Sequence, residues 1–159
     1  MTAGMVTDAE QPGPDLADPA SFEHWTEEKI RFQDIDRLDH VNNVAIAGYA
    51  ESGRVEFLEA VTPSTLQRGD APFWVIAQLN VHFRSQAHFP GHIHIGTCVL
   101  RIGTSSVTLG QGMFDVDRRC IASAESVVVL IDPATARGVP LPDAARSAFA
   151  AHCPDTSSD

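Results

Sequence analysis

At 159 residues, with 43% apolar and 20% charged side chains, the chain reads as one domain able to bury a full core. Eleven basic against 21 acidic groups give a net charge of −10, which argues against nonspecific nucleic-acid binding, where a basic face is expected. No run reaches the roughly 18 apolar residues of a membrane helix, no secretory signal opens the chain, and three scattered cysteines suit reduced cytoplasmic thiols.

Residues 1–20 are rich in Pro, Gly, Ala and Asp and are read as a disordered tail, because they cannot bury enough apolar surface to fold. Residues 21–152 then form a single domain and 153–159 a flexible C-terminal tail. A first strand is predicted around Trp25 to Gln33. Asn42 or Asn43 suits a helix cap, since its side-chain oxygen can accept an orphan backbone N–H. The helix runs from there to about Ala60 and stops before Thr62-Pro63. Gly48 and Gly53, with several alanines, keep it slim enough for a sheet to wrap closely. Residues 63–72 read as a loop, with a helical turn at Ser64 to Arg68.

Four strands follow. Val75, Ala77, Leu79, Val81 and Phe83 alternate with Ile76, Gln78, Asn80, His82 and Arg84, a period of two. After the Phe89-Pro90-Gly91 turn, Ile93, Ile95, Thr97 and Val99 share one strand face. Ser106 to Val116 form the third strand and Cys120 to Ile131 the fourth, joined by a hairpin at Asp117-Arg118-Arg119. Asp132-Pro133 breaks the last strand, and Pro140 to His152 suggests a short terminal helix with Pro142 near its start. One long helix against consecutive antiparallel strands is an α+β arrangement.

The chemistry-bearing residues cluster where the long helix begins. Backbone N–H groups there have no intrahelical partner and carry the positive end of the helix dipole, so they suit an oxyanion. His40 lies in the preceding loop, able to polarise a carbonyl, position water or hold the loop. Asp34 and Asp39 read as solvated or capping carboxylates. Glu51 and Arg54 are three apart on the helix and read first as an ion pair. His92-x-His94 places two rings on one strand face, but no third ligand accompanies them, so no metal site is expected.

Asp34-Ile35-Asp36, His40-Val41-Asn42-Asn43, Glu51 and Arg54, in this element order, resemble the hotdog-fold acyl-CoA thioesterases of the 4-hydroxybenzoyl-CoA thioesterase type. The likeness spans about Phe22 to Leu141 and takes in Phe89-Pro90-Gly91, the Gly103-x-Ser105-Ser106 start of a strand and the Val127–Asp132 ending. Two positions depart from that family: Asp39 stands where a glycine usually precedes the histidine, and Ile46 where an aromatic is common. The resemblance implies a hotdog fold, a curved antiparallel β-sheet wrapped around one long central α-helix. It also implies a cytoplasmic acyl-CoA hydrolase that releases a carboxylic acid and free CoA.

On that reading Asp36 is nucleophile or general base, with His40, Asn43 and, in reserve, Glu51 beside it. Asn42 orients substrate, while Arg84, Ser105 and Ser106 lie near the coenzyme A moiety. Coenzyme A enters as part of the substrate, with no separate cofactor, no nucleic acid and no membrane. A homodimer or homotetramer joined edge to edge is expected, since an unpaired edge strand is an aggregation hazard. The alternatives are another acyl-thioester enzyme, such as a hydratase or dehydratase, and a non-catalytic acyl-binding hotdog protein.

Overall fold

The computed structural model describes residues 13–63, 65–66 and 69–154. Its elements are β1 (His24–Lys29), α1 (Asn43–Val61), β2 (Phe73–Phe83), β3 (His92–Ile102), β4 (Ser106–Phe114), β5 (Cys120–Ile131) and α2 (Asp143–Ala150). The strands form one five-stranded antiparallel sheet in the order β1-β3-β4-β5-β2. This is the hotdog arrangement expected from the sequence. The expected run of four strands is only partly a run in space: β3, β4 and β5 are neighbours, but β2 leaves α1 to pair with β5 at the far edge.

The ladders slip at three places. Register shifts fall between Ile76 and Gln78, between Val99 and Arg101, and between Met113 and Phe114, and such bulges bend a strand and raise its twist. The first shift also breaks the predicted alternation of β2. Trp74 is buried, Val75 and Val81 are half-buried, but Leu79 and Phe83 are exposed along with Ile76.

Around α1 the core has two halves. Ile46, Tyr49 and Ala50 pack with Ile93, Ile95, Met113 and Ile121 at the N-terminal end. Phe57 and Leu58 pack with Trp74, Val107, Leu109 and Phe149 at the other. At Gly53 an added Cβ would stand 2.6 Å from Ile95 Cγ2, so the helix backbone lies close against the sheet there. Gly48, expected to serve the same purpose, is exposed with nothing within 4 Å of its missing Cβ.

The outer face of the sheet corrects the expected tail boundary. Residues 1–12 lie outside the described residues, but Asp15 to Phe22 are docked on the sheet. Asp18 caps a short 3-10 turn at Pro19–Ser21, and Ser21 Oγ donates to Asp15 O at 2.7 Å. Leu16 lies against Gly110 and Gly112 of β4, and Phe22 packs with Cys98 and Phe114. Gly96 of β3 and Gly110 and Gly112 of β4 make room for this strap. The helical turn expected at Ser64 to Arg68 falls on residues largely outside those described.

Candidate active site

The loop before α1 is built on Asp34, expected to be solvated or capping but 4% exposed. Its Oδ2 accepts from Tyr49 Oη at 2.6 Å, from Arg31 N at 2.9 Å and from Arg31 Nε at 3.3 Å. Its backbone carbonyl accepts from both Asn42 N and Asn42 Nδ2 at 2.9 Å. Burial alone would raise the Asp34 carboxyl, but the hydrogen bonds from Tyr49 and Arg31 outweigh it and hold it below its ordinary range. Burial, and then the same contact, push the Tyr49 hydroxyl upward, so it stays a donor. Asp34 is therefore the clamp that sets the start of α1.

Between Ile35 and Val41, which bridge one another, the chain makes a tight reversal. Asp36 N donates to His40 O at 3.0 Å and Asp39 N to Asp36 O at 3.1 Å. Asp39 sits at φ 65°, a left-handed backbone that glycine adopts freely and Asp or Asn tolerates better than most residues. The departure from glycine thus keeps the backbone shape. His88 Nδ1 hydrogen-bonds the Asp39 carbonyl at 2.8 Å.

Within this reversal Asp36 Oδ1 accepts from Leu38 N at 2.7 Å, and Asp36 Oδ2 lies 3.5 Å from His40 Nδ1. The carboxylate therefore backs the imidazole. His40 in turn borders a cleft of about 270 Å³ with Asn43, Ile46, Phe83 and Arg84. Asp36 itself borders neither this cleft nor the two that flank it.

At the helix start Asn42 is the cap, its Oδ1 accepting from Ala45 N at 2.8 Å. Asn42 N is taken by Asp34, which leaves the amides of Asn43 and Val44 without a partner among the described residues. Unpaired donors at the positive end of a helix, with Asn43 in the same cleft as His40 and Val44 bordering the neighbouring clefts, suit a carbonyl oxygen that gains negative charge.

Not every predicted residue joins this cluster. Arg84 does: it borders the same cleft as His40 and Asn43, with Nε donating to Ser123 Oγ at 3.1 Å. Ser105 and Ser106 do not. Ser106 pairs with Val129, whereas Arg84 N donates to Ile121 O, so the serines lie roughly 26 Å away along β5 within one chain. Glu51 borders a separate cleft between α1 and β2, and the expected Glu51–Arg54 ion pair is absent among the described residues. His94 Nδ1 lies 3.5 Å from Glu27 Oε2, and no cluster of three or more possible metal ligands forms among the described residues.

Three features escaped the sequence reading. Tyr49, the single tyrosine, reaches back 15 residues to Asp34. Arg54 is 5% exposed rather than on the surface. A cleft of about 580 Å³ opens at the far end of the molecule between His24, Thr97, Cys98 and His152. Burial pushes the Cys98 thiol there up to about 12, which leaves it a poor nucleophile.

Residues 30–149 match the family described as the thioesterase-like superfamily. Among solved structures, one from Pseudomonas aeruginosa strain PAO1 aligns with a TM-score of 0.78 at 24% identity, covering 87% of this chain and 96% of its own; at that identity it speaks for the fold alone. A predicted thioesterase from Bacillus stearothermophilus aligns at 0.73 with 26% identity, covering 81% and 95%. A thioesterase from Thermus thermophilus, solved with coenzyme A and zinc, aligns at 0.71 with 25% identity, covering 80% and 98%. No curated protein matches the chain.

Proposed function

The chain belongs to the thioesterase-like superfamily, and from that premise we propose that it hydrolyses acyl-CoA thioesters to a carboxylic acid and free CoA. Neighbours described as thioesterases support acyl-thioester hydrolysis in general, and the coenzyme A held by one of them supports that carrier. The observation that carries the reading here is the meeting, in one cleft, of His40, backed by Asp36, with Asn43, whose backbone amide is unpaired among the described residues at the start of α1.

In this mechanism the thioester oxygen faces the amides of Asn43 and Val44, which stabilise the charge that develops as water attacks. Loss of one such donor in comparable sites costs about 2.7–4 kcal/mol of barrier stabilisation. The Asp36–His40 pair takes the proton from water. The geometry favours a base over a nucleophile, because one Asp36 oxygen is committed to Leu38 N and the other faces the imidazole. Arg84 meets the phosphates of coenzyme A.

A homodimer or homotetramer is part of the proposal. Antiparallel pairing of two β2 edges would bring the partner's Ser105 and Ser106 to the Arg84 end of the sheet, from which they are separated within one chain. The test is a thiol-release assay across short, long and aromatic acyl-CoAs, run beside Asp36→Asn. Release that falls at least about 100-fold in the variant supports the mechanism. Release unchanged by the substitution removes Asp36, and no release from any thioester removes hydrolysis altogether. Addition of water to an enoyl-CoA without thiol release would instead indicate a hydratase.

A further inference from the structure

Gln111 is wholly buried in the middle of β4, on the strand face it shares with Leu109 and Met113. Those two neighbours belong to the two apolar halves of the core, so the glutamine sits at the waist between them. Its Oε1 has no hydrogen-bond partner among the described residues, and burying an unpaired polar atom costs stability. An apolar side chain of the same length would fill the space without that cost.

What the amide group adds is direction. Nε2 donates to Ala50 O of α1 at 3.0 Å and to Thr97 Oγ1 of β3 at 3.3 Å. Thr97 lies opposite Gln111 in the β3–β4 ladder, so one donor is anchored in the sheet while the other reaches the helix. Gly53, three residues after Ala50 on the same helix face, leaves the opening: a Cβ there would stand 3.0 Å from Gln111 Nε2. No other hydrogen bond joins a strand to α1 among the described residues, and the packing on either side is apolar. Apolar burial is non-directional and tolerates a small slip of the helix, whereas a bond to one carbonyl selects one position.

The place such a slip would disturb lies two turns away. Asn43 precedes Ala50 by seven residues, about 10 Å along the helix axis. The cleft that holds His40 takes Asn43 and Ile46 from α1, and Phe83 and Ile121 from the sheet. Its shape therefore depends on where the helix rests along the strands, although Gln111 does not border it.

We propose that Gln111 is a positioning residue: by fixing α1 lengthwise on the sheet, it sets the unpaired Asn43 amide at the His40 cleft. This deepens the hydrolase reading given above and rests on it. A displacement of about 1 Å remote from the chemistry can cost about 100-fold in rate, so a single bond two turns away can matter to turnover.

The experiment compares wild type with Gln111→Met, which fills the space without the amide, and with Leu109→Met as an apolar control on the same strand face. Thiol release gives kcat and KM, a urea midpoint gives stability, and the amide NMR signals of Asn43 and Val44 report the helix start. Gln111→Met should lower kcat at least about 10-fold with KM and midpoint near wild type, and should shift both amide signals. Leu109→Met should leave kcat and both signals unchanged. If Gln111→Met fails to fold, Thr97→Val removes the anchor on β3 alone and should lower kcat by a smaller factor while shifting the same signals. A variant whose kcat holds, or whose Asn43 and Val44 signals stay in place, overturns the positioning role and leaves hydrolysis standing. A wild type that releases no thiol overturns the hydrolase reading and the role of Gln111 with it.

Discussion

Asp34 and Asp36 read alike in the sequence, two carboxylates separated by Ile35, yet the fold gives them opposite fates. Spacing shows only that they share a loop. What buries Asp34 is Tyr49, 15 residues on, and nothing in the intervening sequence marks that contact. Tyr49→Phe should lower stability by about 1.5–3 kcal/mol, the range for a hydrogen bond to a charged group, read from a urea midpoint. The acid limb should change too. Asp34 has a depressed pKa when folded, so its contribution is present above the unfolded carboxylate value near 4 and is lost as pH falls through the lower folded value. Asp34→Asn should flatten stability against pH below about 4, and an unchanged slope there would deny the clamp. For the Asp36–His40 pair the sharper measurement is the double variant. If the carboxylate acts through the imidazole, Asp36→Asn with His40→Gln should release thiol no more slowly than the worse single variant. Two independent losses that multiply would mean that Asp36 reaches water by itself.

The long helix was the element most legible beforehand, in its cap and in its extent. Asn42 caps it and it ends at Val61, because those signals are local: a side chain that can take an amide, and a proline soon after the last turn. Its two glycines were less legible, since size matters only against a neighbour that the sequence does not name. Gly53 lies under β3, where a methyl group would press on Ile95 Cγ2 and, at 3.0 Å, on Gln111 Nε2. Gly53→Ala should therefore destabilise by about 1–3 kcal/mol through overpacking, despite the better helix former. Gly48→Ala should do the reverse, gaining up to about 1 kcal/mol because its missing Cβ meets nothing within 4 Å. Thermal midpoints that moved the same way for both would show that helix propensity, not contact with the sheet, governs this element. The strand β2 is where the sequence places it, but its alternation is lost for a related reason: one bulge shifts the phase of a period-two pattern, and position at an edge removes the second neighbour that burial needs.

At the scale of the molecule, the five strands cannot close the core by themselves. The site lies at one end of α1, and the sheet wraps that end with Ile93, Ile95, Met113 and Ile121. The other end is closed by α2, whose Phe149 is wholly buried with its ring 5.6 Å from Trp74 and 6.3 Å from Phe57. Trp74 is held in turn by its Nε1 donating to Thr62 Oγ1 at 3.1 Å, so helix end, edge strand and terminal helix meet at one aromatic cluster. The terminal helix is thus part of the domain, and its backbone confirms the attachment: Val99 N donates to His152 O at 3.0 Å and Leu141 N to Thr104 O at 2.9 Å. Phe149→Ala should cost about 3–5 kcal/mol, the range for emptying a buried aromatic site. Because the loss falls on the half of the core remote from His40 and Asn43, thiol release under conditions where the variant is still folded should stay near wild type. A denaturation midpoint unmoved by the substitution would mean that the second half of the core holds without its terminal helix.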